Sequence, residues 1–239
     1  MALRAVTLDA AGTLVAVAEP VGETYARTAG RHGLRISPAK AEAGFRRAFA
    51  VAPPLAFPGA SPSRLDAHER AWWYTIVRQA LGATASGPAF DACFEELYAH
   101  YATAAAWRVL PGVHGVLANL RARGLRLAVV SNFDGRLGPL LDGLGLRPLV
   151  DAVIVSSRAG SAKPDPAIFG AALAALDVGA GETLHAGDEP LEDALGAHGA
   201  GLRAVLVGGR PSPRALPPGV ALLGSLAELP ALIDAETLA

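Results

Sequence analysis

From residue 107 onward, short apolar runs alternate with stretches of helical period. This alternation restricts the fold more than any other feature of the chain. Leu125 to Val130 is a continuous apolar run broken only by Arg126, and it ends in Ser131-Asn132. Ala152 to Val155, Thr183 to Ala186, Arg203 to Val207 and the shorter Val220 to Leu223 repeat that texture. Between them lie helical stripes: Val113, Val116, Leu117 and Leu120, stopped by Gly124, then Phe169, Ala172, Leu173 and Leu176, opened by Asp165-Pro166. Leu191 to His198 and Leu226 to Thr237 read as two further helices. Strands alternating with helices form a parallel sheet with both faces covered, because each crossover lays a helix over the sheet.

The first strand precedes this region. Ala5 to Leu8 is apolar apart from the β-branched Thr7, and it stops at a lone carboxylate, Asp9, followed by Ala10, Ala11, Gly12, Thr13 and Leu14. After Val15 the texture changes. Ala16 to Thr103 reads as helices and loops without a strand. Tyr25 to His32, Ala39 to Ala50 (opened by Ser37-Pro38), Asp66 to Leu81 and Phe90 to Tyr101 are the helices, and the proline-rich stretch Val51 to Ser63 is a loop. The reading is an α/β core over 1–15 and 106–239, with a helical insert over 16–105.

Composition bounds the partners. Of 239 residues, 51% are hydrophobic and 18% charged, with a net charge of −1, which is globular and favours neither nucleic acid nor an acidic membrane surface. No apolar run approaches the roughly 20 residues of a membrane helix, and no basic apolar leader precedes the first strand. The single cysteine, Cys93, has no internal disulfide partner, which suits a cytoplasmic protein. Lys40 and Lys163 are the only lysines, against nineteen arginines.

Ligands of open α/β sheets collect beyond the carboxyl ends of the strands. There stand Asp9, Ser131-Asn132 and Asp188, with Lys163 in the loop after the third strand. Taken singly, each has an ordinary explanation. Ser131 and Asn132 suit a turn, Lys163 a solvated surface, Asp188 or Glu189 the cap of a helix beginning at Pro190, and Asp165 a helix N-cap. His185, inside a strand, reads as a packed core residue. Jointly, a carboxylate, a hydroxyl, a cation and a second carboxylate on one sheet edge point to chemistry.

These residues carry a resemblance. LDAAGTL at 8–14, VVSN at 129–132, Lys163 in AKPDP and AGDEPLEDALGAHGAG at 186–201 resemble, in order and spacing, the four motifs of the haloacid dehalogenase superfamily of hydrolases. Trp72-Trp73 is similar to one branch of it. The resemblance implies a Rossmann-like three-layer α/β/α core with the first strand central, and an inserted four-helix cap of the C1 type that closes over the strand ends. It implies Asp9 as nucleophile, attacking phosphorus to form an aspartyl-phosphate. Mg²⁺ would be held by the Asp9 carboxylate, the Ala11 carbonyl and Asp188, with Asp193, and Glu189 beside it, supporting through water. Lys163 would neutralise charge on the nucleophile and the transferring group. Ser131, Asn132 and the backbone N–H groups near Ala10 and Ala11 would bind the phosphoryl oxygens of a small phosphorylated substrate.

One position departs from the phosphatase pattern. The general acid–base aspartate expected two residues after the nucleophile is Ala11, whose methyl neither protonates a leaving group nor activates water. Such help is worth on the order of 10²–10⁴ in rate. The expected activity is therefore weak Mg²⁺-dependent phosphatase turnover favouring good leaving groups. A non-catalytic binder of a phosphorylated ligand or a partner is the alternative. Below these rank haloacid dehalogenation, which the retained Gly187-Asp188 disfavours, and phosphonate hydrolysis through a cap lysine, for which only Lys40 is present. Arg64, His68, Arg70 and Trp72 are the insert's candidates to reach substrate.

Overall fold

The computed structural model describes residues 2–208 and 216–237. Met1, 209–215 and 238–239 of the stretch assigned to the core lie outside the described residues. In chain order the elements are β1 (Ala5–Leu8), β2 (Val15–Val17), α1 (Val21–Arg31), α2 (Pro38–Ala50), α3 (Pro62–Leu81), α4 (Gly87–His100), β3 (Trp107–Val109), α5 (Val113–Ala122), β4 (Arg126–Ser131) and α6 (Leu137–Gly143). They continue with β5 (Ala152–Val155), α7 (Ser156–Ala159), α8 (Pro166–Leu176), β6 (Thr183–Gly187), α9 (Gly196–Gly199), β7 (Arg203–Val207), β8 (Ala221–Leu223) and α10 (Leu229–Thr237). The chain divides into two compact units, one of 1–16, 56–59 and 109–239, the other of 17–55 and 60–108.

The first unit holds a six-stranded sheet in the order β5-β4-β1-β6-β7-β8, every pair parallel. Its central strands are largely apolar because helices cover both faces, so residues of either parity are buried: Ala5 to Leu8 and Leu127 to Val130 all are. β1 lies between β4 and β6, with Leu8 level with Val129 on one side and Ala186 on the other. The three strands therefore end side by side, which places Asp9, Ser131 and the Gly187-Asp188 pair along one edge. Residues 56–59, inside the stretch read as the helical insert, group with this unit, where Pro58 approaches Gly160 closely enough that a β-carbon there would touch it.

The second unit packs α1 to α4 around its own core of Tyr25, Val77, Phe90, Cys93, Phe94 and Leu97. Burying each large side chain contributes about 1.5–3 kcal/mol. The periodicities that predicted these helices are the ones that fill the core. Ser37 caps α2 by accepting from the Lys40 N–H at 3.4 Å, with Pro38 at the first helical position, as its sequence suggests.

The structure corrects two expectations. Val15–Val17 is a strand, pairing with Trp107–Val109, so 16–103 is not free of strands. Three residues are too few for a period-2 pattern to show. Leu191 to His198 is not one α-helix: Pro190–Leu195 is a π turn that continues into α9. Pro190 has no N–H to give, and the Glu189 N–H is held by the Asp193 side chain at 2.8 Å, so the chain enters this turn from a conformation fixed by the site.

Candidate active site

Asp9 follows β1 directly, anchored by its N–H to the Ala186 carbonyl at 2.9 Å. The chain then turns sharply, with the Leu14 and Val15 N–H groups both bonding to the Ala10 carbonyl at 2.8 and 2.9 Å. Gly12 takes φ +100°, and any β-carbon there would collide with the Asp188 carboxylate. Only glycine supplies both the conformation and the space. At Gly187, in ordinary strand conformation, it is space alone that counts, since the Asp193 side chain fills the place of a β-carbon.

Lys163 is the centre of the site. Its ammonium donates to Asp9 Oδ1 and to Asp193 Oδ1, each at 2.6 Å, and its side chain is 1% exposed. Burial alone would lower the Lys163 pKa, yet the two carboxylates prevail and hold it above the ordinary lysine range. For Asp193 burial acts upward, and the Lys163 charge and the His185 hydrogen bond overcome it, so its carboxyl stays below the usual range. Asp9 is different. Burial pushes its carboxyl up, Asp193 adds to that, and Lys163 offsets only part. Two carboxylates share one cation, and the one without further donors bears the strain. Glu192, half-buried beside this cluster, is pushed up to about 7, chiefly by burial.

Asp9, Asp188 and Asp193 offer carboxylate oxygens within 4.8 Å of one another. With all groups ionised, three carboxylates face one ammonium, which leaves two negative charges. Hard oxygen donors and a double negative charge fit a small divalent cation such as Mg²⁺. The Thr13 hydroxyl lies 3.5 Å from Asp188 Oδ1. Asp193 is already well supplied: Oδ1 accepts from Lys163 and His185, and Oδ2 accepts from the Glu189 N–H.

The remaining sequence candidates fall as follows. Ser131 is buried at the end of β4, and Ala10 is buried while Ala11 is exposed. Asn132 is engaged with the main chain of Lys163 at both ends of its amide, donating to the carbonyl at 2.9 Å and accepting from the N–H at 2.7 Å. It fixes the loop from which Lys163 reaches the site. Asp165 is the N-cap of α8, accepting from the Ala167 N–H at 2.9 Å. In the helical unit, Arg64 and His68 are exposed, Trp72 donates to the Pro53 carbonyl, and Arg70 pairs with Glu95 above the rings of Phe94 and Tyr98.

Sequence reasoning gave His185 only a place in the core and Thr7 none in the site. His185 and Thr7 are fully buried and bonded to each other, and His185 reaches Asp193. A signal existed, since each is a polar residue inside a largely apolar strand. Asp134 was also missed. It is fully buried and binds Arg136 by two side-chain bonds and a backbone N–H, bracing the loop after Asn132.

Comparison with known proteins agrees with this geometry. Residues 3–201 match the family model of haloacid dehalogenase-like hydrolases. The chain is 39% identical to the human haloacid dehalogenase-like hydrolase domain-containing protein 3, over 97% of this chain and 94% of that protein. It is 35% identical to a phosphoserine phosphatase of Thermus thermophilus, over 55% of this chain and 53% of that one. The crystal structure of a HAD phosphatase from Thermococcus onnurineus shares the fold, with a TM-score of 0.66, 24% identity and coverage of 97% of this chain and 98% of that one. Motifs, parallel sheet, carboxylate cluster and relatives agree, and the chain belongs to the haloacid dehalogenase-like hydrolases.

Proposed function

We propose that this protein is a cytoplasmic, Mg²⁺-dependent phosphatase of small phosphorylated molecules, slow because it lacks an acid–base residue at Ala11. The observation that carries this reading is the Lys163 ammonium held at 2.6 Å from both Asp9 and Asp193, beside a carboxylate cluster suited to a divalent cation. Asp9 attacks phosphorus, the bond to the leaving oxygen breaks, and an acyl phosphate forms on the Asp9 carboxylate. Water then attacks the same phosphorus, releasing inorganic phosphate and restoring Asp9. Lys163 orients the Asp9 carboxylate and offsets charge on the transferring group. Ser131 and the N–H groups of Ala10 and Ala11 receive the phosphoryl oxygens. Asp9, Asp188 and the Ala11 carbonyl, with Asp193 behind them, would hold Mg²⁺, which supplies electrostatic stabilisation of the phosphoryl oxygens when bound.

Ala11 is also the observation that favours a second reading, a binder that holds a phosphorylated ligand without turning it over. The lower-ranked phosphonate chemistry needs a buried amine in the helical unit, and the lysine there, Lys40, is exposed. The test is p-nitrophenyl phosphate turnover with and without Mg²⁺, run beside Asp9→Asn. Nitrophenolate leaves without a proton, so the methyl of Ala11 matters least with this substrate. Metal-dependent release that Asp9→Asn abolishes supports the phosphatase. Release no faster than the mutant's rejects it, and saturable phosphate binding without turnover then supports the binder.

A further inference from the structure

Behind the carboxylates lies a buried imidazole that the proposed chemistry does not use. His185 sits in β6, fully buried, and both ring nitrogens are engaged: Nδ1 is 2.9 Å from Thr7 Oγ1 and Nε2 is 3.1 Å from Asp193 Oδ1. Thr7 is its register partner across the β1–β6 ladder, so the parallel pairing itself aims the hydroxyl at the ring. On one flank the ring meets Phe169 edge-on, with centroids 5.1 Å apart. An apolar side chain would fill this place without the desolvation that a buried imidazole carries unless both nitrogens are bonded. Their being bonded, one of them to the carboxylate that holds Lys163, is what distinguishes this residue from ordinary core.

The direction of the bonds follows from donor and acceptor capacity. The ionised Asp193 carboxylate only accepts, so Nε2 carries the proton it receives. In a neutral ring Nδ1 then accepts, and the Thr7 hydroxyl donates to it. Asp193 is thereby held by three donors: His185 Nε2–H and the Lys163 ammonium on Oδ1, and the Glu189 N–H on Oδ2. The same Lys163 ammonium touches Asp9 at 2.6 Å.

We infer that His185 is a positioning residue for the hydrolytic site: its Nε2–H, with Nδ1 satisfied by the Thr7 hydroxyl, sets the Asp193 carboxylate and through it aims Lys163 at Asp9. The kinetic part of this inference rests on the phosphatase reading. Its structural part does not.

The test uses three substitutions of the full chain. In His185→Gln the side-chain nitrogen extends to the place of Nε2 and keeps the bond to Asp193. In His185→Asn it reaches only as far as Nδ1 and loses that bond, and His185→Phe keeps the ring without a donor. With p-nitrophenyl phosphate and Mg²⁺, the Asn and Phe variants should lose about 10–100-fold in kcat at little change in KM, while Gln stays within about threefold of wild type. A residue that only fills space gives the opposite order, with Phe active and Gln no better than Asn, and that result overturns the inference. If Phe does not fold, the Gln–Asn pair decides. Imidazole ¹⁵N NMR supplies a readout that needs no turnover: His185 should show the Nε2–H tautomer, and Thr7→Val, which leaves the Asp193 acceptor in place, should keep it. An Nδ1–H tautomer in the wild-type chain overturns the inference whatever the kinetics. A chain without turnover that shows the Nε2–H tautomer rejects the phosphatase reading and leaves the hydrogen-bond assignment standing.

Discussion

At the scale of single residues, the site is a contest between burial and compensation. Lys163 is shared by Asp9 and Asp193, and the two differ in what else they receive. Asp193 has the His185 ring and a backbone N–H in addition, so it stays ionised and serves as the fixed post of the site. Asp9, lacking those extra donors, is the less stabilised of the two. Removing Lys163 would leave buried carboxylates without their cation, a loss of about 3–5 kcal/mol in comparable buried pairs. Ala11 supports a prediction of its own. Ala11→Asp should raise turnover of an alkyl phosphate by about 10²–10⁴, because the new carboxyl protonates a poor leaving group. With p-nitrophenyl phosphate, whose leaving group needs no proton, the gain in the first half-reaction should be far smaller. Comparing pre-steady-state release of the leaving group from the two substrates checks this, and equal gains on both would contradict the role assigned to that position.

At the scale of elements, the strand ends do the positioning. β1 between β4 and β6 brings together residues that are distant in sequence, and the helices matter through how they begin. Asp165 caps α8 immediately after the Lys163 loop, so Asp165→Ala should lower stability by about 1 kcal/mol in denaturant unfolding. Cys93 faces the core of the helical unit, and burial pushes its thiol up to about 11 from an ordinary 9.0. Native chain at pH 8 should therefore resist alkylation that goes to completion once it is unfolded, as intact-mass measurement can show. The folded pKa is the higher one, so the associated stability is complete below pH 9 and is lost as pH rises toward 11.

The elements also show what the sequence made legible. Long strands and helices were plain because their burial imposes a period, and Asp9, Lys163 and Asp188 stood at abrupt ends of apolar runs. β2 and β3 were hidden because three residues carry no period. The π turn was hidden because its cause is tertiary, the hold of Asp193 on the Glu189 N–H. The link from Thr7 to His185 needed the register of β1 against β6, and sequence alone does not give which strands are neighbours. The grip of Asn132 on the Lys163 main chain was hidden for the same reason, since it depends on a loop 31 residues away.

At the scale of the whole molecule, two compact units with separate cores divide the work. The α/β unit carries the carboxylates and the lysine, and the helical unit carries an independent aromatic core. Among the described residues, no helix is long and apolar enough to cross a membrane. The carboxylate cluster predicts a linkage to metal. A hundredfold excess of Mg²⁺ over its Kd should stabilise the fold by about 2.7 kcal/mol, or roughly 5–10 °C in a chain of this length. A chelator should reverse the shift and Asp188→Asn should abolish most of it in thermal unfolding. An unchanged melting temperature across the Mg²⁺ titration would contradict the metal assignment.

The central claim is that Asp9 carries the phosphoryl group. Without a base at position 11 to activate water, the second step should be slow and the acyl phosphate should accumulate during turnover. The direct measurement is peptide mapping by mass spectrometry after acid quench of the enzyme with p-nitrophenyl phosphate and Mg²⁺. The account predicts a phosphoryl group on Asp9, lost on mild alkaline treatment and missing in Asp9→Asn. Turnover that leaves Asp9 unmodified at every time point would contradict it.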